Sequence, residues 1–207
     1  MTLVANGSPL AFITLGVAGS GKSTVSRELS RMTGAAYLDK DTVTGPLVEF
    51  ALNALGQDPS DRESNQIYLD QVMPVEYETL FALARQNLAL GNSVVLDAPF
   101  VAYLADPAYL ETTTAHAKWP ETDIRIIHVH ASEETIRQRL LERDNHRDRA
   151  KLGDWEGYWH RFGGLECQWR TGVHEHLHNE GEEVWQGLEA LLSRIRASAE
   201  GSSRPRV

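Results

Sequence analysis

The amino-acid sequence predicts a three-layer α/β/α fold, in which helices cover both faces of a mainly parallel sheet. Short apolar runs alternate along the 207-residue chain with longer segments of helical pattern, as in sheets whose strands are joined by helices. A glycine-rich motif lies between the first apolar run and the first helical segment. Two later apolar runs end in aspartate, at the strand ends where such sheets bind ligands. We therefore expect one domain over residues 1–196 and a disordered tail over residues 197–207.

The order of the elements follows from the apolar runs and from residues that start or stop helices. Gly34 and Gly91 each follow a helical segment, as residues that end helices do. Pro74 predicts a break, and Ser132 predicts an N-cap. The predicted strands are residues 10–15, 35–38, 93–96, 124–129 and 173–177. The predicted helices are residues 22–32, 43–55, 63–72, 75–90, 107–118, 133–144, 155–169 and 182–196.

The composition limits the classes of partner. A formal net charge of −9 argues against a protein that binds nucleic acid by neutralising many phosphates. Cys167 is the only cysteine, so we expect no intramolecular disulfide and a reducing, cytoplasmic environment. The sequence has no signal-peptide pattern and no run of about twenty apolar residues, so we expect no membrane partner. We expect a monomer or a homodimer.

Residues 16–23 read Gly-Val-Ala-Gly-Ser-Gly-Lys-Ser, which is the full pattern of a P-loop. The glycines let the backbone curl so that N–H groups point at phosphates, and the following helix adds the positive end of its dipole. Lys22 is expected on the β and γ phosphates of ATP, and the Ser23 hydroxyl on Mg²⁺. The alternative is a glycine-rich turn that binds nothing. The predicted cofactor-binding residues are Gly16, Gly19, Ser20, Gly21, Lys22, Ser23 and Thr24, and Lys22 is also predicted to be catalytic.

Three carboxylates follow apolar runs, at the strand ends that would face the P-loop. Asp41 is predicted to bind the acceptor and to act as the catalytic base, and Asp39 to lie nearer Mg²⁺. The alternative is that both acids cap a helix that begins near residue 43. Asp97 ends a run of the Walker B type and is predicted to hold Mg²⁺ through its water shell. The same position can instead start a turn or face the acceptor.

Arginines cluster at the end of a predicted helix and in the segment that follows it. Arg147 and Arg149 are predicted to be catalytic residues of a mobile lid, because phosphoryl transfer needs cations that meet the charge of the migrating group. Arg143 is predicted to stack on the adenine. The alternative is a solvated helix with ordinary Glu–Arg pairs, and this interpretation is preferred for Arg137 and Arg139.

Two further patterns place similar side chains on one face of an element. Histidines 174, 176 and 178 alternate and would share one face of a strand, a geometry that is open to metal binding. A structural or surface role is preferred for them, because nucleotide-bound Mg²⁺ already supplies a catalytic metal. The predicted helix over residues 155–169 has one aromatic face, for which core packing is preferred and a stacking platform for the acceptor is the alternative. The aromatic residues are Trp155, Tyr158, Trp159 and Phe162.

These residues resemble the small-molecule P-loop kinases, which include gluconate kinase, shikimate kinase and chloramphenicol phosphotransferase and are related to nucleoside monophosphate kinases and zeta toxins. The resemblance covers roughly residues 10–196 and implies a P-loop NTPase fold with a five-stranded parallel sheet in the order 2-3-1-4-5. It also implies an acceptor-binding insert at about 42–74, a small lid at about 145–153, and Asn179 near the adenine. It is carried by residues 16–24, Asp39-Lys40-Asp41, Asp97-Ala98-Pro99-Phe100 and Arg147-Asp148-Arg149.

The identity of the acceptor stays open, because the sequence departs from the patterns of known acceptors. Thr42-Val43-Thr44 stands where shikimate kinases have Ile-Glu, and Asp97-Ala98-Pro99 where they have a glycine triad. The His-Pro of gluconate kinases is also missing. The predicted function is an ATP- and Mg²⁺-dependent phosphotransferase that acts on a hydroxyl of a small polar metabolite or antibiotic. The alternatives are a nucleotide or nucleotide-sugar kinase, and a nucleotide-binding regulatory ATPase or switch.

Overall fold

A sheet of five parallel strands forms the centre of the molecule. The computed structural model describes residues 4–5, 8–60, 62, 65–145 and 148–202. The strand order is β3-β4-β2-β5-β6, and the short β1 pairs antiparallel with β2. The sequence did not predict β1. When the five parallel strands are numbered from β2 onward, their order is 2-3-1-4-5, so the predicted sheet order is confirmed. The strands are β1 (Val4–Ala5), β2 (Ser8–Leu15), β3 (Ala36–Asp39), β4 (Val94–Asp97), β5 (Asp123–His130) and β6 (Val173–His178).

Helices connect the strands and cover both faces of the sheet. Gly34 ends the first helix in the left-handed conformation, and Ser132 caps the fifth by accepting from the Thr135 N–H, both as predicted. A π-helical segment, Tyr68–Val72, precedes the third helix. The helices are α1 (Lys22–Thr33), α2 (Lys40–Ala54), α3 (Met73–Ala89), α4 (Tyr109–His116), α5 (Glu133–Glu142), α6 (Arg149–Gly153), α7 (Trp155–Phe162) and α8 (Glu183–Ser202).

Several predicted helix boundaries are wrong, and four of the differences have a clear local reason. The second helix begins at residue 40 and not at 43, because the carboxylate of Asp39 caps it. Pro74 causes no break, because it lies in the first turn of α3, where its missing N–H has no intrahelical partner to lose. The aromatic helix ends at residue 162, where Gly163 is its C-cap. The predicted disorder is wrong for residues 197–202, which continue α8, and residues 203–207 lie outside the described residues.

The apolar core has two halves, one on each face of the sheet. Alternate residues of β2 point to opposite faces, so Ile13 packs with Phe81 of α3 on one face, and Phe12 packs with Leu29 of α1 and Leu188 of α8 on the other. All of these side chains are fully buried. The three layers therefore form around a sheet whose carboxyl edge is left open to hold a site. None of the helices in the described ranges combines the length and apolar composition that a membrane-spanning helix needs.

The aromatic face of α7 packs mainly into a smaller core beside the P-loop. Trp155 and Tyr158 are buried against Ile136 and Leu140 of α5. Val17 and Ala18 of the P-loop contact the same cluster. Core packing, the preferred interpretation, is confirmed for these two aromatic residues.

Candidate functional site

The P-loop follows β2 and leads directly into α1. Gly19 and Gly21 adopt positive φ angles of 87° and 86°, which other residues rarely adopt. A Cβ atom at Gly16 would lie 2.8 Å from the carbonyl oxygen of Val129, so the loop passes too close to β5 for any larger residue. Gly21 is the N-cap of α1, and no side chain caps that helix. The Lys22 N–H donates to the Ser20 hydroxyl at 3.4 Å, and the Thr24 N–H donates to the Gly21 carbonyl at 3.0 Å. The positive end of the α1 dipole lies at the loop, as in sites that bind anions.

The Lys22 ammonium forms an ion pair with the Asp97 carboxylate at the floor of this loop. Asp97 ends β4, is 2% exposed, and accepts a second hydrogen bond of 2.7 Å from the Tyr37 hydroxyl. Burial, reinforced by the Asp97 carboxylate, raises the pKa of Tyr37 far above its ordinary value, so Tyr37 stays a neutral donor. The predicted catalytic lysine and the predicted Walker B acid thus contact each other directly.

Asp39 and Asp41 lie at the end of the neighbouring strand. Asp39 pairs in register with Asp97 on β4, so both carboxylates stand at one edge of the sheet. The Asp39 carboxylate accepts from the Asp41 N–H at 3.1 Å and from the Thr42 hydroxyl at 2.9 Å, which is the helix-cap alternative for this residue. The side chain of Asp41, in contrast, is 57% exposed and lies beside the Lys40 ammonium at 3.1 Å. The structure therefore distinguishes the two acids by geometry.

A buried polar network anchors the residue between these acids, and the sequence analysis missed it. The Lys40 ammonium reaches the Glu76 carboxylate of α3 at 2.8 Å, and both residues are buried. Thr44 donates to the same carboxylate at 2.8 Å, and Tyr68 donates at 2.6 Å. The inward face of α2 contains Lys40, Thr44 and Val48, which are spaced four apart and are all buried. This helical periodicity could have indicated that Lys40 is buried and therefore needs an acidic partner.

Arg139 and Asn179 support the P-loop from the other side. The Asn179 amide donates to the Ser20 carbonyl at 2.8 Å, and Arg139 donates to the same carbonyl at 3.3 Å and to the Asn179 carbonyl at 2.8 Å. The preferred interpretation of Arg139 as a solvated residue is therefore wrong, because its guanidinium is directed at backbone carbonyls of the loop. Asn179, placed near the adenine by the resemblance, contacts the loop itself. Its role in binding a nucleotide stays a prediction.

The other arginines of the cluster have different surroundings. Arg143 forms a bidentate pair with the buried Asp148 carboxylate, at 2.5 and 2.8 Å, and so ties the end of α5 to the start of α6. Arg137 lies with its guanidinium 5.8 Å from the centre of the Trp155 ring. Arg149 is exposed in the first turn of α6. Arg147 lies outside the described residues. Because a guanidinium donates from its edge and stacks through its face, the pair with Asp148 does not prevent the predicted stacking of Arg143 on adenine, which stays a prediction.

A cleft opens at the carboxyl edge of the sheet beside the P-loop. It contains about 560 Å³ of space that is open to solvent. Gly16 and Val17 of the P-loop, Pro99 after β4, and Trp159 and Phe162 of α7 are among its lining residues. Trp159 and Phe162 therefore pack against the smaller core and also border the cleft. Asp39 and Asp41 do not line this cleft.

The site and the sheet order together define a kinase fold of the P-loop class. The "Probable gluconokinase" of Xenopus tropicalis is 27% identical over 146 residues, which cover 66% of this chain and 70% of that protein. A sugar kinase of Janibacter sp. HTCC2649, solved without ligand, is 17% identical and superposes with a TM-score of 0.61 over 95% of this chain and 99% of that chain. An APS kinase of Mycobacterium tuberculosis, solved with AMPPNP and APS, is 18% identical, with a TM-score of 0.55 over 92% and 99%.

The family match fixes the assignment. The AAA_33 family, described as an AAA domain, matches residues 12–163, which is well over half of the chain. The chain belongs to this family. The resemblance to small-molecule P-loop kinases is confirmed, and the protein is an enzyme of that class.

Proposed function

We propose that this protein transfers the γ-phosphoryl group of Mg²⁺-bound ATP to a hydroxyl of a small polar metabolite or antibiotic. The observation that carries the proposal is the arrangement of Lys22, Asp97 and Asp39 at one edge of the sheet beside the P-loop. Phosphoryl transfer depends mainly on positioning and charge neutralisation, and this edge supplies a cation, two acids and backbone N–H groups within one small region. We expect the enzyme to act in the cytoplasm, as a monomer or homodimer.

The residues of the P-loop fit the phosphates of a nucleotide. The left-handed glycines and the uncapped start of α1 leave backbone N–H groups facing the loop, as a phosphate needs. Lys22, which is ion-paired with Asp97, would bind the β and γ phosphates of a nucleotide. Arg139 and Asn179 hold the loop carbonyls and thereby keep this cradle in shape before the nucleotide arrives.

The acids of the same edge fit a hydrated magnesium ion. The carboxylate of Asp97 already accepts from Lys22 and Tyr37, and that of Asp39 accepts from two groups of α2. Such acids suit contact through the water shell that Mg²⁺ retains, with the Ser23 hydroxyl as the direct protein ligand. When bound, Mg²⁺ supplies charge that neutralises the phosphates during transfer.

Asp41 is the residue that we assign to the acceptor hydroxyl. Its carboxylate is exposed at the strand end, while Lys40 beside it is held in place by Glu76. A carboxylate so placed can accept the proton of the attacking hydroxyl. The cleft between Gly16 and Pro99 adjoins the P-loop, and although Asp41 is not among its lining residues, we assign the cleft to the parts of the acceptor that lie away from the reacting hydroxyl. Arg149 at the start of α6 is the described lid residue that we assign to the migrating phosphoryl group, together with Arg147.

The test is ADP release from Mg²⁺-ATP in the presence of sugars, sugar acids including gluconate, nucleosides, and aminoglycoside or phenicol antibiotics. Gluconate belongs in the panel because of the gluconokinase relative, although this chain lacks the His-Pro of gluconate kinases. With the acceptor that raises turnover, Asp41→Asn should lower kcat by about 10²- to 10⁴-fold and leave ATP binding unchanged. Asp106→Asn is the matched control, because that exposed acid caps a turn far along the chain and asparagine can cap it as well.

Two results would contradict the proposal. One is an Asp41→Asn variant with the kcat of the wild type, which would remove Asp41 from the chemistry. The other is ATP binding through Lys22 without stimulation by any acceptor but with nucleotide-dependent capture of a protein partner. That second result would favour the regulatory ATPase or switch.

A further inference from the structure

Five histidines share one face of the two strands β5 and β6, and we call them the histidine patch. The sequence analysis considered only those of β6. On β5, His128 and His130 alternate in the same way, and His128 pairs in register with His176 on β6. Because residues two apart on a strand point to the same face, all five imidazoles lie side by side. The members of the patch are His128, His130, His174, His176 and His178.

The imidazoles of the patch contact one another through their ring nitrogens. The His130 Nε2 lies 2.9 Å from the His176 Nδ1, and the His128 Nε2 lies 2.8 Å from the His174 Nδ1. The far nitrogen of His174 lies 3.0 Å from the carbonyl oxygen of Trp169, which fixes the orientation of that ring. Each N···N contact needs one neutral acceptor nitrogen, so part of the patch carries lone pairs that point at its neighbours.

The two imidazoles of the patch on β5 have lowered pKa values. Burial and the neighbouring imidazoles lower the pKa of His128 to about 4, and the same causes lower the pKa of His130. The P-loop, its acids and its arginines make no use of these histidines, and the usual residues for such a sheet face would be apolar.

We propose that the histidine patch binds one divalent transition-metal ion of the zinc class through His128, His130 and His176. One ring nitrogen from each of these three residues lies within 4.8 Å of the others. Ligand nitrogens around a tetrahedral zinc ion stand roughly 3.3 Å apart, from metal–nitrogen distances of about 2.0–2.1 Å. The three rings are stacked with 7–11° between their planes, so they must turn out of this stack, and His130 must give up its contact with His176, before their in-plane lone pairs meet at one ion. Three protein ligands leave a fourth position for water or for an oxygen atom of another molecule.

This site differs in chemistry and place from the proposed Mg²⁺ site. Imidazole nitrogen suits zinc, copper and nickel, whereas Mg²⁺ selects oxygen ligands. The patch lies on β5 and β6, while Asp39 and Asp97 end the strands on the opposite side of β2. His128 and His130 also line the cleft beside the P-loop, so a bound ion would stand at the rim of that cleft. The proposal does not depend on the proposed kinase substrate.

The experiment is metal binding by the full chain, expressed without a histidine tag and treated with a chelator. Isothermal titration with ZnCl₂ should give one ion per chain, and titration with CoCl₂ should give the intense visible absorption of tetrahedral cobalt. The variants His130→Ala and His176→Ala should each weaken zinc binding by at least about 10-fold, because each removes one ligand. The controls are His116→Ala and His160→Ala, which remove exposed histidines outside the patch and should bind zinc as the wild type does.

The outcomes separate a built site from a general affinity of histidine-rich surfaces. Stoichiometric binding that depends on His130 and His176 but not on the two control histidines supports the proposal. Weak binding of several ions, an octahedral cobalt spectrum, or equal losses in all four variants would overturn it. Circular dichroism of each variant shows whether it is folded. Because His130 and His176 are exposed, their substitution should leave the fold intact.

Discussion

Substitution of Glu76 by glutamine tests whether the buried ion pair holds the acid-bearing end of β3. Glu76 keeps the shape of its side chain in this variant but loses its charge and one acceptor oxygen. Lys40 then remains buried without its main partner, and the Tyr68 hydroxyl meets an amide where it met a carboxylate oxygen. Since Lys40 stands between Asp39 and Asp41, the substitution should loosen the segment that presents both acids.

The expected loss of folding stability in Glu76→Gln follows from the contacts of the ion pair. Removing one partner of a buried ion pair typically costs about 3–5 kcal/mol. Asp41 stays 3.1 Å from the Lys40 ammonium and retains part of the attraction, so the lower end, about 3 kcal/mol, applies. For a chain of this size, 1 kcal/mol shifts Tm by about 2–4 °C, so Glu76→Gln should melt about 6–12 °C below the wild type.

The assay is thermal and urea unfolding followed by circular dichroism. Glu78→Gln is the matched control, because Glu78 is exposed on the same helix and its substitution should change stability by no more than about 0.5 kcal/mol. A double-mutant cycle adds Lys40→Met. The two single variants should each be destabilised, and the double variant should recover about 1–3 kcal/mol relative to their sum, because it leaves no unpaired buried charge.

Two results would refute this reasoning. If Glu76→Gln melts within about 2 °C of the wild type, the ion pair contributes little and Lys40 is held by Asp41 alone. If the double variant loses as much as the two single variants together, Lys40 and Glu76 act independently. Glu76 would then be a packing residue of α3 and not an anchor for the acids.

Two further predictions concern the P-loop. Gly21→Ala should abolish nucleotide binding, measured by fluorescence titration with a labelled ATP analogue. Gly21 has a φ of 86°, and the new Cβ would lie 2.0 Å from the Asn179 Nδ2. Unchanged binding would show that the loop is free to shift. Asn179→Ala should lower the free energy of unfolding in urea by about 1–2 kcal/mol, because it removes the hydrogen bond to the Ser20 carbonyl. Combined with Gly21→Ala, it should partly restore nucleotide binding. A double variant that binds no better than Gly21→Ala would mean that backbone strain alone causes the loss of binding.

The fold was predictable because its signals are local. The five long strands are short apolar or alternating segments, and helix ends such as Gly34 and Ser132 carry their own capping chemistry. The sheet order, in contrast, depends on which runs pair across long stretches of chain, and it came from the family resemblance. The end of α7 was missed because Trp159 and Phe162 continue an apparent helical pattern up to Gly163, which stops it.

The candidate site was predictable only where a motif encodes it. The P-loop is a contiguous pattern, so its residues can be named as a group from the sequence alone. Arg139 and Glu76 were not found, because their partners stand 40 and 36 positions away in the sequence and only the fold brings them together. Only the β6 histidines of the patch were recognised from the sequence. Alternation marks the histidines within each strand, but the pairing of β5 with β6 that brings the two sets together depends on the fold.

The two sides of the proposed site are built differently, and this explains why the sequence indicates the nucleotide but not the acceptor. The nucleotide side uses backbone N–H groups, which are the same for every residue type, and needs only glycines, Lys22 and supports such as Arg139 to shape them. The acceptor side, as we propose it, would use side chains from separate segments, with Asp41 on α2 and Pro99 and Trp159 at the cleft. The side chains that recognise a ligand differ between proteins of the same fold, because each contact is specific to one ligand and no fixed backbone geometry constrains it. A change of acceptor therefore requires substitutions around the cleft and after Asp41, while the P-loop and its supports can stay as they are.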